Sequence, residues 1–125
     1  MNDRLDKLKD IEIENKIWII YIGIIILSWY ANSKEKTFLL YNDEKTKKEY
    51  QNLLILIFSI LVIIYYYFAK DSYDKLININ EFDSDKKKHL LYLSFIASFL
   101  ILISGIIFLN IAIQDDQIDV ELAFN

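Results

Sequence analysis

The chain has 125 residues, 54% hydrophobic and 26% charged, with a formal net charge of −4. Those averages match one ordinary globular domain. The absence of Cys excludes a disulfide framework, a thiol nucleophile and Cys-built metal sites, and with no Pro and two Gly there is no Gly-rich phosphate loop.

The averages hide a segregation. Residues 17–31, 53–69 and 90–113 contain no charged side chain, and all 32 Asp, Glu, Lys and Arg lie in the other 69 positions. Taken in chain order, residues 3–16 come first, an amphipathic run with Leu5, Leu8 and Ile11 at three-residue steps among charges. It is expected to continue helically into the first charge-free stretch. That stretch is apolar all round, whereas a soluble helix has only an apolar stripe. Its 15 residues reach about 22 Å as a helix against a hydrocarbon core of about 30 Å, a shortfall that Lys16 can cover by snorkelling. A removable signal peptide is the rival. The segment before it carries four Lys/Arg and five Asp/Glu, and Trp29 stands where a small residue is needed, so an uncleaved anchor is expected.

The first polar loop, residues 32–52, holds Thr37-Phe38-Leu39-Leu40-Tyr41, a β-prone run. After it, Asn42 is expected to N-cap a helix starting with Asp43 and Glu44, with Glu44 and Lys48 paired at i, i+4. This helix leads into 53–69, about 26 Å long, closed by Lys70. In the second polar loop, Asp83-Ser84-Asp85 before Lys86-Lys87-Lys88 is expected to cap the third helix. Asp83 and Asp85 are also the acids nearest His89, the single histidine. Three such residues are too few for a metal or catalytic site, and capping accounts for them. The third stretch, 90–113, reaches about 36 Å and crosses a bilayer with residues to spare. In the tail, Ile118, Val120, Leu122 and Phe124 alternate with Asp119, Glu121 and Ala123, a strand-like period.

Aromatic residues mark the ends of the stretches. Trp18 and Tyr21 face Trp29 and Tyr30 across the first; Tyr65, Tyr66 and Tyr67 close the second. Rings at headgroup level form interfacial belts. Lys and Arg set an orientation. The N-terminal segment and second loop carry nine between them; the first loop and the tail carry five, none in the tail. The positive-inside rule places the N-terminus in the cytoplasm and the C-terminus outside. The tail positions Ile118, Val120, Leu122 and Phe124 and the loop positions Phe38 and Leu40 then share the outer side, and are expected to meet as a short ladder.

The third stretch carries a seam. Ser98, Gly105 and Ala112 recur every seven residues, with Ser94, Ala97 and Ser104 beside them. Small residues on one face let membrane helices approach closely. Such a face serves packing within one chain or association with another. No charge lies inside the stretches and no Gly–Pro break interrupts them, which argues against a pump or coupled transporter. No nucleophile, metal-helix or dinucleotide motif is present, and the acidic balance argues against nucleic acid.

The sequence therefore indicates an all-α, polytopic membrane protein. Its three transmembrane helices lie at about 17–31, 53–69 and 90–113 in a single membrane domain. Cytoplasmic helical extensions and a short β-like outer cap are added to them. It is expected in the plasma membrane as a non-enzymatic protein acting by helix association, an accessory or regulatory subunit or a self-assembling component. No metal, cofactor or small-molecule substrate is indicated. Its partners are the lipid bilayer and a second copy or another membrane protein. The alternative is a holin-like or effector pore. Against it stand the acidic tail and the lack of a polar stripe to line a lumen.

Overall fold

The computed structural model describes residues 2–120. Among them it contains three helices and no strand: α1 (Asn2–Tyr41), α2 (Glu44–Ile77) and α3 (Asp85–Gln114). Each turn between helices is built by capping chemistry rather than by Gly or Pro. At the first, Asn42 takes a left-handed φ of 53° and donates its N–H to the Phe38 carbonyl at 2.6 Å. Asn tolerates that conformation and ends helices this way. Asp43 is the N-cap of α2. Its Oδ1 accepts from Lys45 N at 3.1 Å and its Oδ2 from Thr46 Oγ1 at 2.7 Å. The cap therefore lies one residue beyond the expected Asn42, and Glu44 pairs with Lys47 at 2.9 Å instead of Lys48. At the second turn Ser84 Oγ accepts from Lys87 N and Asp83 from Lys87 Nζ, so the Asp83-Ser84-Asp85 order does cap α3.

The expected strand at 37–41 is not formed; these residues are the last turns of α1. Once a helix is nucleated, adding a residue adds one hydrogen bond for one fixed residue. Nothing between Ala31 and Tyr41 breaks the ladder, and Thr37 Oγ1 returns a hydrogen bond to Ser33 O at 3.1 Å. The β preference of Thr-Phe-Leu-Leu-Tyr needs a partner strand, and the tail supplies none among the described residues.

The helices form an antiparallel up–down–up layer with α2 in the middle. Lys34 meets Glu49 at 2.8 Å at one end of the α1/α2 pair, and Asp10 meets Lys75 at 3.2 Å at the other. On the opposite flank Gln51 reaches Ala112 and Ile113 of α3, while Ser72 meets Ser98. No Cα of α1 comes within 8 Å of one in α3 among the described residues. The core follows from this arrangement. Tyr50, Leu54, Ile57, Phe58, Leu61 and Ile64 of α2 are buried, a stripe at three- and four-residue steps. Against it α1 sets Ile17, Ile24 and Ala31, spaced by seven, and α3 sets Gly105 and Ala112, likewise spaced by seven.

Both α2 and α3 are long and apolar enough to cross a membrane. The most apolar window of α2 is 33% buried, that of α3 only 11%. The rest of that apolar surface points outward.

Candidate interaction surface

The small-residue seam of α3 divides in two. Ser98, Gly105 and Ala112 face α2. Ser98 Oγ lies 3.1 Å from Ser72 Oγ; a Cβ added at Gly105 would stand 2.8 Å from Tyr65 Cδ2; Ala112 is 2% exposed and its carbonyl accepts from Gln51 Nε2 at 3.2 Å. Phe58 and Phe108 fill the space between, with ring centroids 5.6 Å apart. By contrast Ser94, Ala97 and Ser104 are exposed. Ala97 and Ser104 sit roughly 100° around the helix from Ser98, which puts them beside the occupied seam rather than in it. Asn110, near the C-terminal end of α3, is spent within its own helix, accepting from Gln114 Nε2 at 2.8 Å.

The aromatic anchors look outward. Trp18, Trp29, Tyr30 and Tyr66 are more than half exposed, and Trp29 reaches 78%. Tyr65 and Tyr67 are half-buried against the core. Between these rings, Ile19, Ile22, Ile25 and Ile26 of α1, Ile63 of α2, and Ile101, Ile107 and Ile113 of α3 are each half exposed or more. In water so large a continuous apolar surface would be a liability.

The tail folds back onto the start of α2. Lys47, buried, is the hub. Its Nζ lies 2.9 Å from Glu44 Oε2, 3.2 Å from Gln117 Oε1 and 5.6 Å from the centroid of the Phe38 ring. Gln51 satisfies the last carbonyls of α3, at Ala112 and Ile113. Asp115 holds the following loop by accepting the N–H groups of Asp119 and Val120, both at 2.9 Å. Ile118, at a left-handed φ of 57°, packs on the core. Phe38 and the tail thus share one end of the layer through Lys47, without strand pairing. Leu40 and Val120 are exposed there. The expected tail positions Leu122 and Phe124 lie outside the described residues.

Charges gather at the two ends. At one, Lys75 joins Asp10 and Asp71, at 3.2 and 2.9 Å. Burial works against its charge, but the hydrogen bonds of Asp71 and Asp10 outweigh it and hold its pKa above the usual lysine value. At the other end Glu49, then Tyr30, holds Lys34 up in the same sense. Asp43 is held below the usual carboxylate range, first by Thr46 and then by the Lys45 N–H; Asp83 is held down first by Lys87. His89 stands exposed in the first turns of α3. Among the described residues no group of three His, Cys, Asp or Glu is arranged to hold a metal.

An open cleft of about 310 Å³ lies between α1 and α2, lined by Tyr30, Lys34, Glu49, Asn52, Leu53 and Leu56. Neither it nor the Lys47 hub stands out in the sequence, because both are built from residues on separate helices. The α1 repeat Ile17-Ile24-Ala31 was open to the same seven-residue reading as α3, but uniform apolarity around it masks which face packs. No family model, curated protein or solved structure matches the chain.

Proposed function

We propose that the chain is a three-span integral membrane protein of the plasma membrane that works by association through its outward faces. It acts as an accessory or regulatory subunit or as a self-assembling component, without chemistry of its own. The observation that carries this reading is the arrangement around α2. Both flanking helices pack on α2 alone, and their other sides present an uncharged apolar surface.

The register of the ion pairs supports α1 as the third span. Lys34–Glu49 and Asp10–Lys75 stand about 36 Å apart along α1 at 1.5 Å per residue. Between them residues 17–31 of α1 fall level with 53–69 of α2 and with the C-terminal half of 90–113 of α3, whose N-terminal part runs on to the level of Lys75, where Phe95 stands against Tyr73. Charge-free parts of all three helices at one height, with ion pairs of α1 and α2 above and below, suit a hydrocarbon slab of about 30 Å. On this reading residues 2–16 and the turn at 78–84 face the cytoplasm, where the positive-inside rule puts them, and the Lys47 hub faces out. Ala97 and Ser104, small and uncovered on α3, are where a partner helix can approach closely.

Two measurements test it. Single Cys substitutions at Asn42 and Asn80, in an otherwise Cys-free chain, should label from opposite sides of intact cells, Asn42→Cys from outside. Labelling of both from one side sinks the three-span topology. Ala97→Cys and Ser104→Cys should cross-link to a second copy or a co-purifying protein in mild detergent. A strictly monomeric protein with nothing bound overturns the association.

A further inference from the structure

The cleft between α1 and α2 has a polarity gradient along the helix axis. Lys34 and Glu49 sit at its rim, Asn52 one turn deeper, and Leu53 and Leu56 below, with Tyr30 forming the α1 wall. From Glu49 to Leu56 is about 10 Å along α2 at 1.5 Å per residue. At about 310 Å³ its size falls at the small end of ligand pockets, about 300–1,000 Å³. The rim is a matched pair of opposite charges 2.8 Å apart, with both side chains about one third exposed. Lys34 Nζ also stands 5.3 Å from the Tyr30 ring centroid. The Asn52 side chain is exposed and makes no hydrogen bond to a described residue.

We infer that this cleft is a phospholipid site, selective for a zwitterionic headgroup with a primary ammonium, the phosphatidylethanolamine class. The inference rests on the three-span reading, which sets the rim at headgroup level and the leucines at the first acyl carbons. The phosphate accepts from Lys34 Nζ and Asn52 Nδ2. The headgroup ammonium donates to Glu49, and the upper acyl chain lies on Leu53 and Leu56. Each partner is specific. An anionic headgroup without an ammonium satisfies Lys34 but offers the Glu49 carboxylate at most neutral hydroxyls, whose hydrogen bonds are weaker than an ammonium's. A choline headgroup carries a cation with no N–H to donate, so its contact with Glu49 is not a hydrogen bond. A rim pair of local net charge zero is complementary to a zwitterion, not to a net anion.

Native mass spectrometry of the full chain in mild detergent, titrated with phosphatidylethanolamine, phosphatidylcholine or phosphatidylglycerol of the same acyl chains, tests it. The ethanolamine lipid should bind about tenfold more tightly than either of the others, one charge-assisted hydrogen bond's difference. Glu49→Gln should remove that preference, and Lys34→Ala should weaken all three lipids. Because those changes also break the Lys34–Glu49 pair, Asn52→Ala is the cleaner probe. It touches no side-chain bond of the protein and should weaken ethanolamine-lipid binding severalfold. Equal binding of the three lipids, or unchanged binding by Asn52→Ala, overturns the site. The Cys-labelling of the same preparation separates the failures. Opposite-side labelling with no lipid selectivity removes the site alone, whereas same-side labelling removes the topology under it.

Discussion

Gly105 and Gly23 give a paired test of how α3 meets α2. A Cβ at Gly105 would lie 2.8 Å from Tyr65 Cδ2, 3.1 Å from Cε2 and 3.5 Å from Val62 Cγ2. Ordinary carbon contacts sit at about 3.5–4.0 Å, so the ring or the helix must withdraw by roughly 0.7–1.2 Å. Tyr65 is half-buried and packed against the core, so either its ring or the helix must shift to admit the methyl. Overpacking of this kind costs about 1–3 kcal/mol. Replacing Gly by Ala inside a helix offsets up to about 1 kcal/mol of it. Gly105→Ala is therefore expected to lose about 0–2 kcal/mol net. At Gly23 a Cβ meets nothing within 4 Å. Gly23→Ala should keep only the helix gain, up to about 1 kcal/mol. The difference between the two variants isolates the clash. The assay is denaturant unfolding of the full chain in mixed micelles, followed by circular dichroism. If Gly105→Ala proves as stable as Gly23→Ala, the close approach of α3 to α2 at Tyr65 is wrong.

Other expectations follow from single contacts. Ser72→Ala, Ser98→Ala and the double variant should give a coupling of about 0.5–1.5 kcal/mol in a double-mutant cycle, the usual net worth of an intramolecular hydrogen bond; a coupling of zero would mean that the hydroxyls do not bond. Lys47→Met keeps the buried stem but drops the bonds to Glu44 and Gln117, and should loosen the tail by about 1 kcal/mol, since Glu44 is exposed and its ion pair is screened. Hydrogen exchange at 117–120 should quicken, and unaltered exchange would contradict the hub. The lowered pKa of Asp43 means that its cap stabilises the folded chain fully above the usual carboxylate pKa. That contribution is lost as pH falls through the lowered folded value. Exchange at the first amides of α2 should therefore rise in acid. Asp43→Asn should abolish that acid dependence while keeping the cap, and Asp43→Ala should lose the cap at every pH.

The positions of the helices were legible because charged and apolar residues segregate along the chain: 32 charges avoid three stretches completely. The Ser98-Gly105-Ala112 face was legible because only small residues allow close approach, and they stand out in a run of Ile and Leu. The extent of α1 was not. Residues 32–41 are polar at first and β-prone at the end, and local preference there yields to a helix already formed. The exact cap was missed by one residue because Asn42 and Asp43 both suit helix ends; only Asn takes the left-handed closing position here, leaving Asp43 to cap. The buried stripe of α2 was hidden by its surroundings. In 53–69 almost every residue is apolar, and composition alone does not separate Ile57, buried, from Ile63, 70% exposed. The cleft was invisible because Lys34 and Glu49 lie on different helices and meet only through the register of the hairpin.

Because α1 and α3 meet only α2, the molecule has two seams with no shared residue pair across its flanks. The two seams share the core of α2, and Tyr65 stands between them, under Gly105 of α3 and near Tyr21 of α1. Ala31 and Ile24 belong to the α1/α2 seam and Gly105 to the α2/α3 seam. The order of the chain matches this division. α1 and α2 are complete as a hairpin before α3 has been made, and α3 joins a surface already assembled.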